Sequence, residues 1–172
     1  MMRFLKKKYV MFLAGVLISM SANAQGGLEK GYVTSDLDKY NDTGICQNCN
    51  LNNAHLLGFP NADLSGSLLI NALMVSGNME SANFNRANLT NALMASSNLP
   101  NTNFRFATLT NTNFYMTELS QADFTGAVFN HVSLDGAILC GAKITLLQLA
   151  NAELTEKTIM PDCTLYIPPV KP

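Results

Sequence analysis

Across residues 61–160 one large apolar residue returns at every fifth position: Leu64, Leu69, Met74, Met79, Phe84, Leu89, Met94, Leu99, Phe104, Leu109, Phe114, Leu119, Phe124, Phe129, Leu134, Leu139, Ile144, Leu149, Leu154 and Ile159. A period of five cannot build an apolar helix face, because at 3.6 residues per turn such residues drift around the axis. Two positions before each large residue stands Ala, Gly, Ser or Thr, with only Val132, Leu147 and Lys157 departing. Residues two apart share one face of an extended chain, so each unit predicts a three-residue strand whose small and large residues point inward and whose middle residue points out. The other two positions are mostly Gly, Asn, Ser or Thr, which suit a change of direction. The chain is predicted to coil around its own apolar axis.

The units Ala62-Asp63-Leu64, Ala82-Asn83-Phe84, Ala87-Asn88-Leu89 and Ala122-Asp123-Phe124 resemble the A-[DN]-L-x-x consensus of the pentapeptide-repeat family. That resemblance implies an all-β fold, a right-handed quadrilateral parallel β-helix with one pentapeptide per side, so that twenty units make five coils. Residues twenty apart should then form like-with-like columns. Asn71, Asn91, Asn111 and Asn151 share one corner column, broken only by His131, and Phe84, Phe104 and Phe124 share an interior one.

The flanks read differently. Met1 to Ala24 has the form of a secretory signal peptide, with the basic run Lys6-Lys7-Lys8, an apolar segment from Tyr9 to Met20 and an A-x-A site at Ala22-Asn23-Ala24. The apolar segment is too short to span a bilayer of about 30 Å, and no Cys stands at the cut to take a lipid. The expectation is an exported protein, periplasmic or secreted, without a stable membrane anchor after cleavage. Residues 25–45 read as a leader followed by a short capping helix, N-capped by Ser35, running to about Asp42 and ended by Gly44. The β-helix is expected over residues 46–160, with the regular array at 61–160 and Gly58-Phe59-Pro60 an insertion bulging from a corner. Leu147 and Lys157 mark a degraded last coil, and residues 161–172, rich in Pro, form a C-terminal cap or tail.

Cleavage after Ala24 leaves seven basic and twelve acidic residues, a balance of −5. Arg86, Arg105, Lys143 and Lys157 are scattered along the array, which offers no basic patch for nucleic acid. Four Cys in an exported chain favour disulfides, and the preferred pairs are Cys46 with Cys49 and Cys140 with Cys163, although the sequence does not give the connectivity. Cys46-x-x-Cys49 followed by His55 also admits a metal or redox reading, which lacks a further ligand and the usual surroundings. His131 has no partner acid, Cys or Ser. Asn41-Asp42-Thr43 and Asn88-Leu89-Thr90 match the glycosylation triplet.

With no nucleophile elbow, phosphate loop or metal-ligand cluster, neither an enzyme nor a cofactor is expected. The outward positions of one side are instead apolar: Leu73 and Leu93 form one column, Val75, Ala95 and Tyr115 the next, with Met116 at the adjoining corner and Leu68 and Ile70 extending the patch. Such a patch predicts a protein partner or a homodimer, unless the leader, the N-terminal helix or the Phe59 segment folds over it. The leading expectation is a non-enzymatic exported scaffold that binds protein. The alternative, implied by the resemblance, is a DNA-mimicking protein that binds a topoisomerase such as gyrase.

Overall fold

In the structure, a computed structural model that describes residues 31–169, backbone pairing repeats at an offset of twenty residues. The predicted signal peptide lies outside the described residues. Parallel pairs run Asp63–Asn83–Asn103–Asp123–Lys143 on side one, Leu68–Asn88–Thr108–Val128 on side two, Leu73–Leu93–Asn113–Ser133–Glu153 on side three and Asn78–Asn98–Glu118–Ile138 on side four. Four sides of five residues therefore close each regular coil. Each strand is so short that only β1 (Thr108–Thr110) with β2 (Val128–Asn130), and β3 (Val132–Ser133) with β4 (Ala152–Glu153), extend beyond a single bridge.

The corners explain the two non-strand positions of each unit. From Gly66 to Gly141 every fifth residue has φ between 53° and 72°, in the left-handed region. At most corners the small residue's N–H donates to the large residue's carbonyl three positions back, as Ala107 does to Phe104 at 3.1 Å. A turn with positive φ at its third residue favours Gly or Asn, which is why Asn71, Asn91, Asn101 and Asn111 sit there. Phe106 takes the same conformation and lies across Gly126 of the next coil, where a Cβ would come within 2.6 Å of its ring. A side chain at position 126 would have to displace that ring.

All sixteen large residues from Leu64 to Leu139 are buried. Phe84, Phe104 and Phe124 stack with ring centroids 5.2 and 5.0 Å apart and planes within 4°, while Phe114 and Phe129 meet the stack edge-on. Buried hydroxyls are satisfied by carbonyls of the preceding coil: Ser97 Oγ donates to Met74 O at 2.6 Å and Thr112 Oγ1 to Leu89 O at 2.9 Å. This allows Ser or Thr to serve as the small residue without leaving a polar group unpaired. Outside, Asn111 donates to Asn91, Asn91 to Asn71 and Asn71 to Asn53 at 2.9–3.0 Å, a ladder of side-chain amides along one corner.

The N-terminal end departs from the twenty-residue rule. Ile45, Asn50 and His55 pair with Asp63, Leu68 and Leu73, an offset of eighteen. The expected insertion at Gly58-Phe59-Pro60 is thus a contraction: the first coil is two residues short on its fourth side, and Gly58 passes against the backbone of Gly77 and Asn78. The same offset brings Asn53 into the Asn ladder. The helix α1 (Thr34–Thr43) covers this end. Its N-cap is Val33, without a side-chain cap bond, and not Ser35; Gly44, with φ 69°, ends it as expected. Asp36 Oδ2 accepts from Asn50 N at 2.8 Å, and Thr43 Oγ1 accepts from Ile45 N at 3.0 Å, so side chains satisfy strand N–H groups that have no preceding coil.

At the C-terminal end the period-five reading fails on side two, between Ile144 and Ala152, and again on side four, after Leu154. Thr145 and Gln148 form a reciprocal capping box that starts the short helix α2 (Leu146–Ala150) where the side-two strand was expected. Leu147 therefore points outward, three quarters exposed, instead of replacing a small interior residue; Leu149 remains buried, but on a helix. Gln148 Nε2 donates to Phe124 O and Ala127 O at 2.8 and 2.9 Å, standing in for the N–H of the missing strand. Asn151 ends α2 and donates to Leu147 O, so it does not join the Asn ladder. Ile138 then pairs with Ile159, an offset of twenty-one. This one-residue slip turns Ile159 to the outward strand position, leaves Lys157 exposed and makes the buried Thr158 the small residue.

Candidate interaction face

Side three carries the predicted apolar residues. Leu73 and Leu93 are direct bridge partners and both half-buried, so their side chains form a continuous strip on the outside of a parallel ladder. In the adjoining corner column Val75, Ala95 and Tyr115 are linked coil to coil by Ser76 N to Ala95 O at 3.0 Å and Ser96 N to Tyr115 O at 2.8 Å. Val75, Tyr115 and Met116 are 49%, 40% and 50% exposed. Leu68 and Ile70 lie across a corner on side two, the former exposed and the latter half-buried. The structure thus brings six of the eight residues onto one side and its corner, and places two beyond the next corner.

Of the segments that could have covered this face instead of a partner, the N-terminal helix and the Phe59 segment are engaged at the N-terminal end. Phe59 packs edge-on against Tyr40 with centroids 5.3 Å apart and touches Gly44. Tyr40 is fully buried, and its hydroxyl donates to Leu57 O at 2.6 Å; burial pushes its ionisation well up. The leader before Gly31 lies outside the described residues.

Side one is polar and differently built. Asn103 donates to Asn83 and Asn83 to Asp63, and Gln47 also donates to Asp63. Asp123 Oδ2 receives Arg105 Nη1 and Lys143 Nζ, each at 3.3 Å. Burial alone would raise the Asp123 carboxyl, but bonds from Thr125, Lys143 and Arg105 together bring it down to about 2. A carboxyl depressed below its unfolded value of about 3.9 contributes stability that is present above that pH and is lost as pH falls toward 2. Asp123→Asn is expected to remove that increment, so its melting temperature should fall less than the parent's between pH 4 and pH 2. Parallel acid titrations would contradict the assignment. Asp63, lowered by its own bonds against burial, keeps part of the acid slope in both proteins.

The cysteines of each preferred pair lie close together. Cys46 and Cys49 flank the first corner with Cα atoms 5.5 Å apart, and Cys140 and Cys163 lie 4.6 Å apart at the last coil. His55 points outward on side three, away from the buried Cys46 and Cys49. Asn88 accepts from both Thr90 N and Thr90 Oγ1, within a strand. Among the described residues no three His, Cys, Asp or Glu side chains gather as a metal site, and no helix is long and apolar enough to cross a membrane.

Sequence reasoning missed two exposed features. Leu146 and Leu147 project from α2, and Thr145-x-x-Gln148, a capping-box spacing, was the available signal. Phe106, half exposed, has the guanidinium carbons of Arg105 and Arg86 5.5 and 5.9 Å from its ring centroid, a juxtaposition across coils that the period-five frame could have shown.

A family model described as pentapeptide repeats matches residues 87–126 and 122–156, in eight copies. No curated protein matches the chain. Among solved structures it is similar to a pentapeptide repeat protein of the Arabidopsis thaliana thylakoid lumen, at 22% identity and TM-score 0.51 over 58% of this chain and 67% of that one. It is also similar to HetL, a pentapeptide repeat protein involved in heterocyst differentiation regulation in the cyanobacterium Nostoc, at 22% identity and TM-score 0.50 over 71% of this chain and 66% of that one. The chain spans about two thirds of each relative's length, and at this identity the likeness is one of fold.

Proposed function

Because the chain belongs to the pentapeptide-repeat family, we propose that it is an exported, non-enzymatic scaffold that binds another protein, or a second copy of itself, through side three. Its body is a right-handed four-sided β-helix capped at the N-terminal end by α1, and Cys46–Cys49 and Cys140–Cys163 are disulfides formed after export. The observation that carries this reading is the apolar strip of Leu73 and Leu93 beside the exposed Val75, Tyr115 and Met116. A rigid β face loses little conformational freedom on binding, and aromatic side chains are favoured anchors at interface centres. The signal-peptide pattern and the even cysteine count support export.

The DNA-mimic alternative draws less support. A B-DNA-like surface needs aligned negative charge, whereas Asp63 and Asp123 lie on side one, Glu118 on side four and Glu153 on side three. Asp123 is also paired with two cations.

Cross-linking and pull-down from the extracytoplasmic fraction tests the reading, using the parent beside a Leu93→Asp, Tyr115→Asp variant. Outward positions should leave the variant folded, which a melting curve checks. A protein captured by the parent and lost by the variant supports the face; equal capture by both, or no capture by either, refutes it.

A further inference from the structure

Both ends of the solenoid are strapped by the chain's own terminal segments running antiparallel to the coil, but the two straps are held by different means. At the N-terminal end Tyr32 bridges Leu51 antiparallel and Val33 N donates to Asn50 O at 3.0 Å. That strap continues directly into α1, which the fully buried Tyr40 anchors. At the C-terminal end the last side-four strand, Thr158–Met160, pairs upward with Ala137–Leu139, and the chain then turns at 161–163 and returns along its other edge. Leu165 bridges Ile159 antiparallel, Met160 N donates to Thr164 O at 2.7 Å, and Tyr166 N donates to Thr158 O at 2.9 Å.

Little apolar burial holds this second strap. Leu165 and Ile167 are 62% and 85% exposed, so the strap gains little from packing against the coil it edges. What ties it down is the pair Cys140–Cys163, which fastens the turn to the corner of the coil above. The pair is reachable: Cys163 is exposed and Cys140 half-buried, whereas Cys46 and Cys49 are 0% and 4% exposed. Thiol attack requires access, so the two pairs should differ in susceptibility.

We propose that Cys140–Cys163 is a reducible latch on an edge-blocking strand. A dithiol reductant attacks one sulfur, forms a mixed disulfide and resolves it with its second thiol; two electrons pass to the protein, Cys140 and Cys163 each leave as a thiol with one proton, and the reductant becomes a cyclic disulfide. Thr164–Ile167 then leaves Thr158–Met160, whose carbonyl and N–H groups form an open edge. The occupant that fits this edge is an uncharged extended segment like the strap itself, supplied by a second copy of this chain. The proposal rests on the disulfide reading of the previous subsection.

The test uses the exported protein as purified. Intact mass with alkylation, before and after graded dithiothreitol, reports each bond. Hydrogen exchange reports the Met160 and Tyr166 amides, and a synthetic peptide of residues 162–169 carrying C163S probes the edge. The expected result is opening of Cys140–Cys163 while Cys46–Cys49 persists, exchange at both amides faster by about tenfold or more with the Leu89 and Phe104 amides unchanged, and peptide bound only by the reduced protein. Cys140→Ser should behave as the open form without reductant. Free thiols at Cys140 and Cys163 in the purified protein would overturn the disulfide reading and the latch together. A bond whose reduction leaves the Tyr166 amide equally protected would overturn the latch alone, and faster exchange without peptide binding would overturn the open edge as a strand acceptor.

Discussion

Phe104→Asp is expected to yield a chain that lacks the cooperative melting of the parent, because the substitution places a carboxylate at the midpoint of the interior stack. Phe104 is fully buried between Phe84 and Phe124, with Phe114 edge-on at 5.5 Å. Its surroundings are aromatic rings, and an unpaired buried charge costs far more than the few kcal/mol that one repeat interface contributes. The gentler Phe104→Ala should fold but lose about 3–5 kcal/mol, the usual range for emptying a buried aromatic site. Since each coil contacts only its neighbours, the loss divides the array into two stacks joined by a weakened interface. Circular dichroism on melting checks both: an unchanged β signal and midpoint for Phe104→Asp would show that this column does not face the core.

The second large effect is expected at Tyr40. Helix α1 is polar, with Tyr40 its one buried side chain and Leu37 only partly covered. A ten-residue helix is marginal in water without such packing. Tyr40→Ala removes the contact with Phe59 and the hydroxyl bond to Leu57 O, and should lower the opening free energy of α1 by about 3–5 kcal/mol. Tyr40→Phe, which keeps the ring, should lose about 0.5–1.5 kcal/mol for the hydrogen bond. The effect is local: hydrogen exchange in α1 and at Asn50 should accelerate in the Ala variant while the amides of Phe104 and Phe124 stay protected. Uniform acceleration along the whole chain would instead make α1 part of one cooperative unit with the array.

How much of this was legible beforehand depends on whether a feature is periodic. Leu64 to Leu139, the Phe column and the Asn71–Asn91–Asn111 ladder follow from a five-residue unit repeated four times per coil, because identical local geometry puts identical positions in contact. The apolar residues of side three were legible for the same reason: once the frame is known, the middle residue of each unit must face outward. The frame broke where a local signal outcompeted it. At Thr145-Leu146-Leu147-Gln148 a capping box offered the backbone a helical turn, and Leu149, which keeps the period-five apolar position and stays buried, conceals the change. The direction of misreading at Gly58-Phe59-Pro60 was also local: counting residues between Leu56 and Leu64 shows a break in phase, but cannot say whether the coil has gained residues or lost them.

From its sequence alone this chain determines a solenoid, its inward and outward positions and its family, since those depend on a period that every unit restates. The tertiary structure decided what happens at the two ends. A first coil two residues short, α1 seated on it through Tyr40, Gln148 replacing a strand's donors, the one-residue slip that turns Ile159 outward and the strap of Thr164–Ile167 each occur once. Their physical cause is common to both ends: a terminal coil has strand groups with no next layer to pair with, and those bonds are satisfied by whichever side chain or segment the fold brings within reach.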